Sequence, residues 1–331
     1  MKIRLFVLLG IISITLFVGC ESDWYPIYED WLCTINVDGT NLEYVRNSYG
    51  NFLLSPDRQT LIEYTNNKFY SVDLNDLSSR TLLVDYGDDL SAIYKPALSN
   101  NNIVFLHHGD IFIYDIASIN IHEMDTGNAW DLNISDDGNL IIYTTLTDST
   151  SSIVIINTIK NIKSIIFEIE NIDMSKYYLE SPRFVDNDEK ILFSMHGNQY
   201  CTTANGIYSV NVDDSDFHCI VEENYTDYIT VSTDEDYILY IFDQQIHLVS
   251  INEMTDHILD LTYNEFFFPS FSPEGQKILF AKEDYPYIIS FDGTNKYKLI
   301  DRMIGYSNSS YRESYFLDNY TILLPLKTQI N

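Results

Sequence analysis

An all-β chain closed into a ring of seven four-stranded blades is the architecture predicted by three features of this sequence. The first is composition: 26 Tyr and 18 Phe stand against 13 Gly and 8 Pro in 331 residues, and aromatic side chains suit a pleated, half-buried surface. The second is an anchor that recurs about every 36 to 50 residues, the period of a propeller blade. It consists of a hydrophobic residue, usually Ser, then a turn rich in Asp, Asn, Pro and Gly, then a strongly apolar strand. The third is a tetrapeptide, Asp-Gly-Thr-Asn, found at Asp38–Asn41 and again at Asp292–Asn295, near opposite ends of the chain.

The anchors run in order as LLSPDRQTLIEY from Leu53, ALSNNNIVFL from Ala97, NISDDGNLIIY from Asn133 and FVDNDEKILF from Phe184. They continue as VSTDEDYILYI from Val231, FSPEGQKILFA from Phe271 and FLDNYTILL from Phe316. The first six are each followed by a second alternating strand: FYSVDL from Phe69, IFIYDI from Ile111, IVIINT from Ile153, IYSVNV from Ile207, IHLVSI from Ile246 and YIISFDG from Tyr287. Alternation marks half-buried strands, and the turn residues between them supply tight reversals. The seventh anchor has no follower, whereas WLCTINVDGTNLEYV from Trp31 has strand and turn but no anchor. Joining the two completes a blade with inner strands from the C-terminus and outer strands from the N-terminus. Each Asp-Gly-Thr-Asn then marks the turn between third and fourth strands of a blade, and the closed ring leaves no unpaired terminal blade. Two anchors, those from Phe184 and Phe316, keep neither Ser nor Pro, and only Pro56 and Pro273 keep the Pro, so counts of six or eight blades stay open at this point.

Hydrophobic residues make up 45% of the chain and charged residues 21%, ordinary globular usage with a sizeable core. The formal charge is −30, from 49 acidic and 19 basic residues. Such a field repels phosphate backbones, and no basic run offsets it, so nucleic acid is not an expected partner.

Residues 1–19 read as an export signal: Lys2 and Arg4, an apolar stretch from Leu5 to Val18, then Gly19 before Cys20. The stretch is short for a bilayer span. Leu16-Phe17-Val18-Gly19-Cys20 resembles the lipobox of bacterial lipoproteins, with Phe17 in place of the commoner Leu. The resemblance implies lipidation of Cys20, a tether over residues 20–30 and a propeller over 31–331, held at a membrane through acyl chains alone. The implied address is the bacterial cell envelope, at the outer membrane or cell surface or on the periplasmic face. An exported compartment permits a disulfide between Cys201 and Cys219, though spacing leaves the pairing open.

The anchors FSPEG, LSPDR and ISDDG resemble the repeats of TolB-type propellers within the wider WD-repeat-like group, across nearly all of residues 31–326. The Asp-Gly-Thr-Asn turns also resemble those of propellers of the low-density-lipoprotein-receptor class. The resemblance implies that binding uses the face carrying the interblade loops. Those loops are crowded with Tyr and carboxylates, which points to Tyr94, Trp130, Tyr177, Tyr178, Tyr228, Phe267 and Tyr311 as a contact surface, with Asp131, Glu180 and Glu313 as acceptors. The competing structural role for these aromatics is to cap the blade junctions.

The sequence contains no zinc-protease spacing, phosphate-binding glycine loop or G-x-S-x-G elbow, and its paired acids fall in predicted turns. No metal or cofactor is therefore expected. The leading expectation is a binding module for an envelope protein, peptide or glycan. Two alternatives are an envelope hydrolase or lyase using channel carboxylates such as Asp131 and Glu313, and a scaffold within an envelope complex.

Overall fold

The computed structural model describes residues 27–47, 50–65, 67–86, 94–170, 177–197, 205–222, 229–261, 269–283, 285–301 and 315–330. Within these, β1 (Ile27–Asn36) and β2 (Glu43–Asn47) come first in the chain but belong to the last blade. Blade 1 comprises β3 (Asn51–Leu54), β4 (Leu61–Thr65), β5 (Lys68–Asp73) and β6 (Asp76–Asp85). Blade 2 follows with β7 (Tyr94–Leu98), β8 (Asn102–His107), β9 (Asp110–Asp115) and β10 (Asn120–Asp125). Blade 3 is β11 (Ala129–Ile134), β12 (Leu140–Leu146), β13 (Thr150–Asn157) and β14 (Ile162–Glu170). Blade 4 is β15 (Tyr177–Val185), β16 (Lys190–Gly197), β17 (Gly206–Asn211) and β18 (His218–Val221). Blade 5 is β19 (Ile229–Val231), β20 (Tyr237–Phe242), β21 (Gln245–Ser250) and β22 (Asp256–Leu261). Blade 6 is β23 (Ser270–Phe271), β24 (Lys277–Lys282), β25 (Tyr285–Ser290) and β26 (Tyr297–Lys298). Finally, β27 (Tyr315–Phe316) and β28 (Thr321–Ile330) pair with the N-terminal strands in the order β2-β1-β28-β27.

The seven-blade count and the shared closing blade are thus as the repeats predict. The β1–β28 pairing is antiparallel and runs from Ile27↔Ile330 to Asn36↔Thr321. Because β28 is long, the sheet reaches four residues into the stretch read as tether, starting at Ile27 rather than Trp31.

The second strands are largely apolar on both faces, because each face packs on a different neighbour; in β4 one buried position is the charged Glu63. In β8, Ile103 and Phe105 pack towards blade 1, while Val104 and Leu106 pack towards blade 3. In β28, Ile322 and Leu324 face blade 6 and Leu323 faces blade 1. The described core accordingly divides into seven clusters, each astride one junction between neighbouring blades, and the seventh junction closes the ring. The first strands of neighbouring blades approach one another (β3 and β7, β7 and β11, β11 and β15), so they line the channel.

The anchor Ser is a buried turn-maker. Ser135 donates its hydroxyl to Asp137 Oδ1 at 2.8 Å and accepts the Leu140 N–H at 2.9 Å, and Ser55 does the same with Asp57 and Thr60. Where the seventh anchor replaces Ser by Asp318, the carboxylate accepts the N–H groups of Tyr320 and Thr321, each at 2.7 Å. The two Asp-Gly-Thr-Asn turns also match in detail. Asp38 accepts the Thr40 N–H at 2.9 Å and its hydroxyl at 2.6 Å, and Asp292 treats Thr294 identically. Both sit between the third and fourth strands of their blades.

Candidate functional site

The interblade connections enter the first strands at one end of the channel, and three successive first strands are bulged there. Pairing slips between Tyr94 and Ala97 in β7, between Ala129 and Asp131 in β11, and between Glu180 and Arg183 in β15. A bulge frees a residue from the ladder and re-aims it. Lys95 and Ser181 sit in two of these bulges with φ of 49° and 52°, each followed by a proline, Pro96 or Pro182. Proline has no N–H for the ladder and is tolerated at such irregular, edge positions.

The bulges bring together side chains from three blades. Asp131 is buried, 4% exposed. Its Oδ1 accepts the Leu132 N–H at 2.8 Å, and its Oδ2 accepts the Ser181 N–H of blade 4 at 3.0 Å and the Lys95 ammonium of blade 2 at 3.1 Å. Burial works against the Lys95 charge, but Asp131, with Tyr94 and Glu180 nearby, outweighs it and holds the pKa above the usual lysine value. Around this pair stand two exposed rings, Tyr94 at 52% and Trp130 at 43%. Trp130 donates its indole N–H to Glu180 Oε1 at 3.1 Å, which orients the ring across the junction of blades 3 and 4. The Lys95 nitrogen lies 5.7 Å from the centre of the Tyr94 ring.

Of the residues singled out from sequence, Tyr94, Trp130, Asp131 and Glu180 therefore converge at one mouth. Tyr178 stands further round β15, stacked on His196 with ring centres 5.2 Å apart, and the Tyr177 carbonyl accepts the Ser151 hydroxyl of blade 3. Tyr228, Phe267, Tyr311, Glu313, Cys20 and Cys201 lie outside the described residues. Cys219 lies on β18, where its thiol donates to the Val221 carbonyl at 3.2 Å and burial pushes its pKa up. Sequence reasoning passed over Lys95 and Ser181. The signal that would have found them is the proline after each, which marks irregular backbone where a connecting segment passes into a strand.

The other mouth is ringed by the anchor turns. Here Asp57 N–H donates to Asn100 Oδ1 at 3.0 Å and Asn187 N–H to Glu235 Oε2 at 3.0 Å, linking blades 1 with 2 and 4 with 5. Burial, then the charges of Asp137, Asp136 and Glu235, push the Asp188 carboxyl up to about 6. Burial and Glu235, Asp137 and Asp57 raise Asp136 as well. Carboxylates from four blades feel one another because their turns converge on the channel axis.

Among the described residues, no three His, Cys, Asp or Glu side chains gather as a metal ion would require. No family model and no curated protein sequence matches the chain. Among solved structures, the fold is similar to the oligogalacturonate lyase of Vibrio parahaemolyticus, at 9% identity over 91% of this chain and 96% of that one, with a TM-score of 0.66. It is similar also to an oligogalacturonate lyase in complex with manganese, at 11% identity over 83% of this chain and 88% of that one, with a TM-score of 0.64. TolB from Acinetobacter baumannii matches at 15% identity and a TM-score of 0.53, over 83% of this chain and 63% of its own length. At these identities the likeness is one of fold: an all-β, seven-bladed propeller structurally similar to TolB and to oligogalacturonate lyase.

Proposed function

We propose that the protein is a lipid-anchored binding module of the bacterial cell envelope, whose bulged channel mouth takes an envelope protein, peptide or glycan. The observation that carries this reading is the pair of exposed rings, Tyr94 and Trp130, held around the ion pair of Lys95 and Asp131. Oriented aromatic area beside polar groups is the composition of a recognition surface. The anchor is Cys20, and acylation holds the module at the outer membrane, at the cell surface or on the periplasmic face.

The geometry does not favour a hydrolase or lyase working through Asp131. Its carboxylate already receives three donors, two of them backbone N–H groups, so it organises the mouth instead of moving a proton. The reading is tested by placing a photo-crosslinking amino acid at Tyr94 in cells and identifying what is captured. One reproducible envelope partner, lost when the crosslinker is moved to an outer strand, is the expected result. Capture of nothing by folded, anchored protein would overturn it, as would catalytic turnover abolished by changes at the mouth. Metabolic labelling with a fatty-acid probe, lost in Cys20→Ala, tests the anchor.

A further inference from the structure

The chemistry of the mouth narrows the class of ligand. The Trp130 indole is tied by its N–H to Glu180 Oε1, so the ring is fixed and almost half exposed. A fixed aromatic face suits a flat apolar surface whose rim is polar. Beside it lie a donor and an acceptor. The Lys95 ammonium has three N–H groups, one of which goes to Asp131, and its side chain is 37% exposed. Glu180 has given one oxygen to the indole, which leaves Oε2 to accept from a ligand.

Charge then discriminates. Glu180 and the overall −30 oppose a polyanionic ligand, and the Lys95 charge is compensated by Asp131 at 3.1 Å. A cationic side chain only donates and so offers no acceptor to the remaining Lys95 N–H groups, whereas a ligand that is neutral, apolar on one face, and bordered by groups that both donate and accept serves Lys95 and Glu180 alike. Sugar hydroxyls do both, and the C–H face of a pyranose supplies the apolar side.

We propose that this mouth binds a neutral glycan, with a sugar ring on Trp130 and its hydroxyls shared between the Lys95 ammonium and Glu180 Oε2. This deepens the binding-module reading and rests on it. The assignment makes Trp130 the principal contact, Glu180 both its positioner and a ligand acceptor, and Lys95 a donor held in place by Asp131.

The test uses the full chain, purified in a detergent without sugar headgroups and titrated calorimetrically. The probes are neutral cello-, manno- and chito-oligosaccharides, an oligogalacturonate, and a Lys/Arg-rich peptide. At least one neutral oligosaccharide is expected to bind, and Trp130→Ala should weaken it about tenfold or more. Glu180→Gln removes the charged oxygen that accepts from the ligand, so it should weaken neutral-glycan binding about threefold or more. Unchanged denaturation midpoints show that each variant is folded. Neutral-glycan binding indifferent to Trp130→Ala would overturn the assignment. Trp130-dependent binding of the oligogalacturonate or the peptide alone would overturn the glycan inference and leave the binding module standing. No binding of any probe, with empty in-cell crosslinking, would overturn both.

Discussion

Replacing Glu63 by Gln should destabilise the junction at which the ring closes. Glu63 lies on β4 with its side chain 1% exposed, and Oε2 receives Arg46 at 2.7 Å from β2 of the closing blade and Arg80 at 2.6 Å from β6 of its own blade. Glutamine keeps the shape and removes the charge, so two guanidinium groups lose their counter-ion. Removing one partner of a buried ion pair costs about 3–5 kcal/mol, because the remaining charge is left uncompensated. Arg46 is 14% exposed and feels this in full, whereas Arg80 is 36% exposed and relaxes into water. The lower end of the range, about 3 kcal/mol, is therefore expected. At about 2 °C per kcal/mol for a chain of this size, that is a fall of about 6 °C in Tm. Equilibrium unfolding in guanidinium chloride should show a lower midpoint at constant slope. Arg46→Met added to Glu63→Gln should restore part of the loss, since the stranded charge is then gone. A change within about 0.5 kcal/mol for Glu63→Gln would refute the reasoning and place the pair among exposed ion pairs of little worth.

The two Asp-Gly-Thr-Asn turns should respond differently to Gly→Ala: both glycines have left-handed φ, 82° at Gly39 and 78° at Gly293. A Cβ at Gly39 would meet the Leu299 carbonyl oxygen at 2.6 Å, whereas at Gly293 the nearest atom is a Leu259 methyl at 3.7 Å. Urea unfolding should therefore show Gly293→Ala costing about 1 kcal/mol for the backbone alone and Gly39→Ala clearly more; equal losses would contradict this account. Ser135→Ala, which removes a buried hydroxyl bonded to Asp137 and Leu140, should cost about 1–2 kcal/mol by the same measurement, and a neutral result would deny the anchor Ser its turn-making role. Asp188→Asn should stabilise the protein at neutral pH. The folded carboxyl, raised to about 6, binds its proton more readily than the unfolded one at 3.8, so stability rises as pH falls through 6 towards 4. Discounted for solvent screening, the gain is about 1 kcal/mol above pH 6, read as a Tm difference that vanishes near pH 4; a pH-independent difference would count against the carboxylate ring as its cause.

The ring was legible in the sequence because its determinants are local and repeat. Strand alternation, anchor turns and the Asp-Gly-Thr-Asn reversals are each written within a few residues, and the unmatched halves at the two ends leave one way to pair them. Cys33 and the apolar residues of β1 could be assigned to a blade before any coordinates, since period-two burial needs only a neighbour on each face.

The mouth was legible only in part. Tyr94, Trp130, Asp131 and Glu180 stood out as residue types in connecting segments. Their partnership spans up to 50 residues, the separation of Trp130 from Glu180 and of Asp131 from Ser181. Such pairings arise from bulges that shift three strands out of simple alternation and turn Lys95 and Ser181 towards the same carboxylate. Composition and spacing along the chain therefore determined the blades and their closure. The burial of Asp131 between blades, the ion pair with Lys95 and the fixed face of Trp130 were decided by tertiary structure, because hydrogen bonds across a blade junction depend on where the ring sets each strand end.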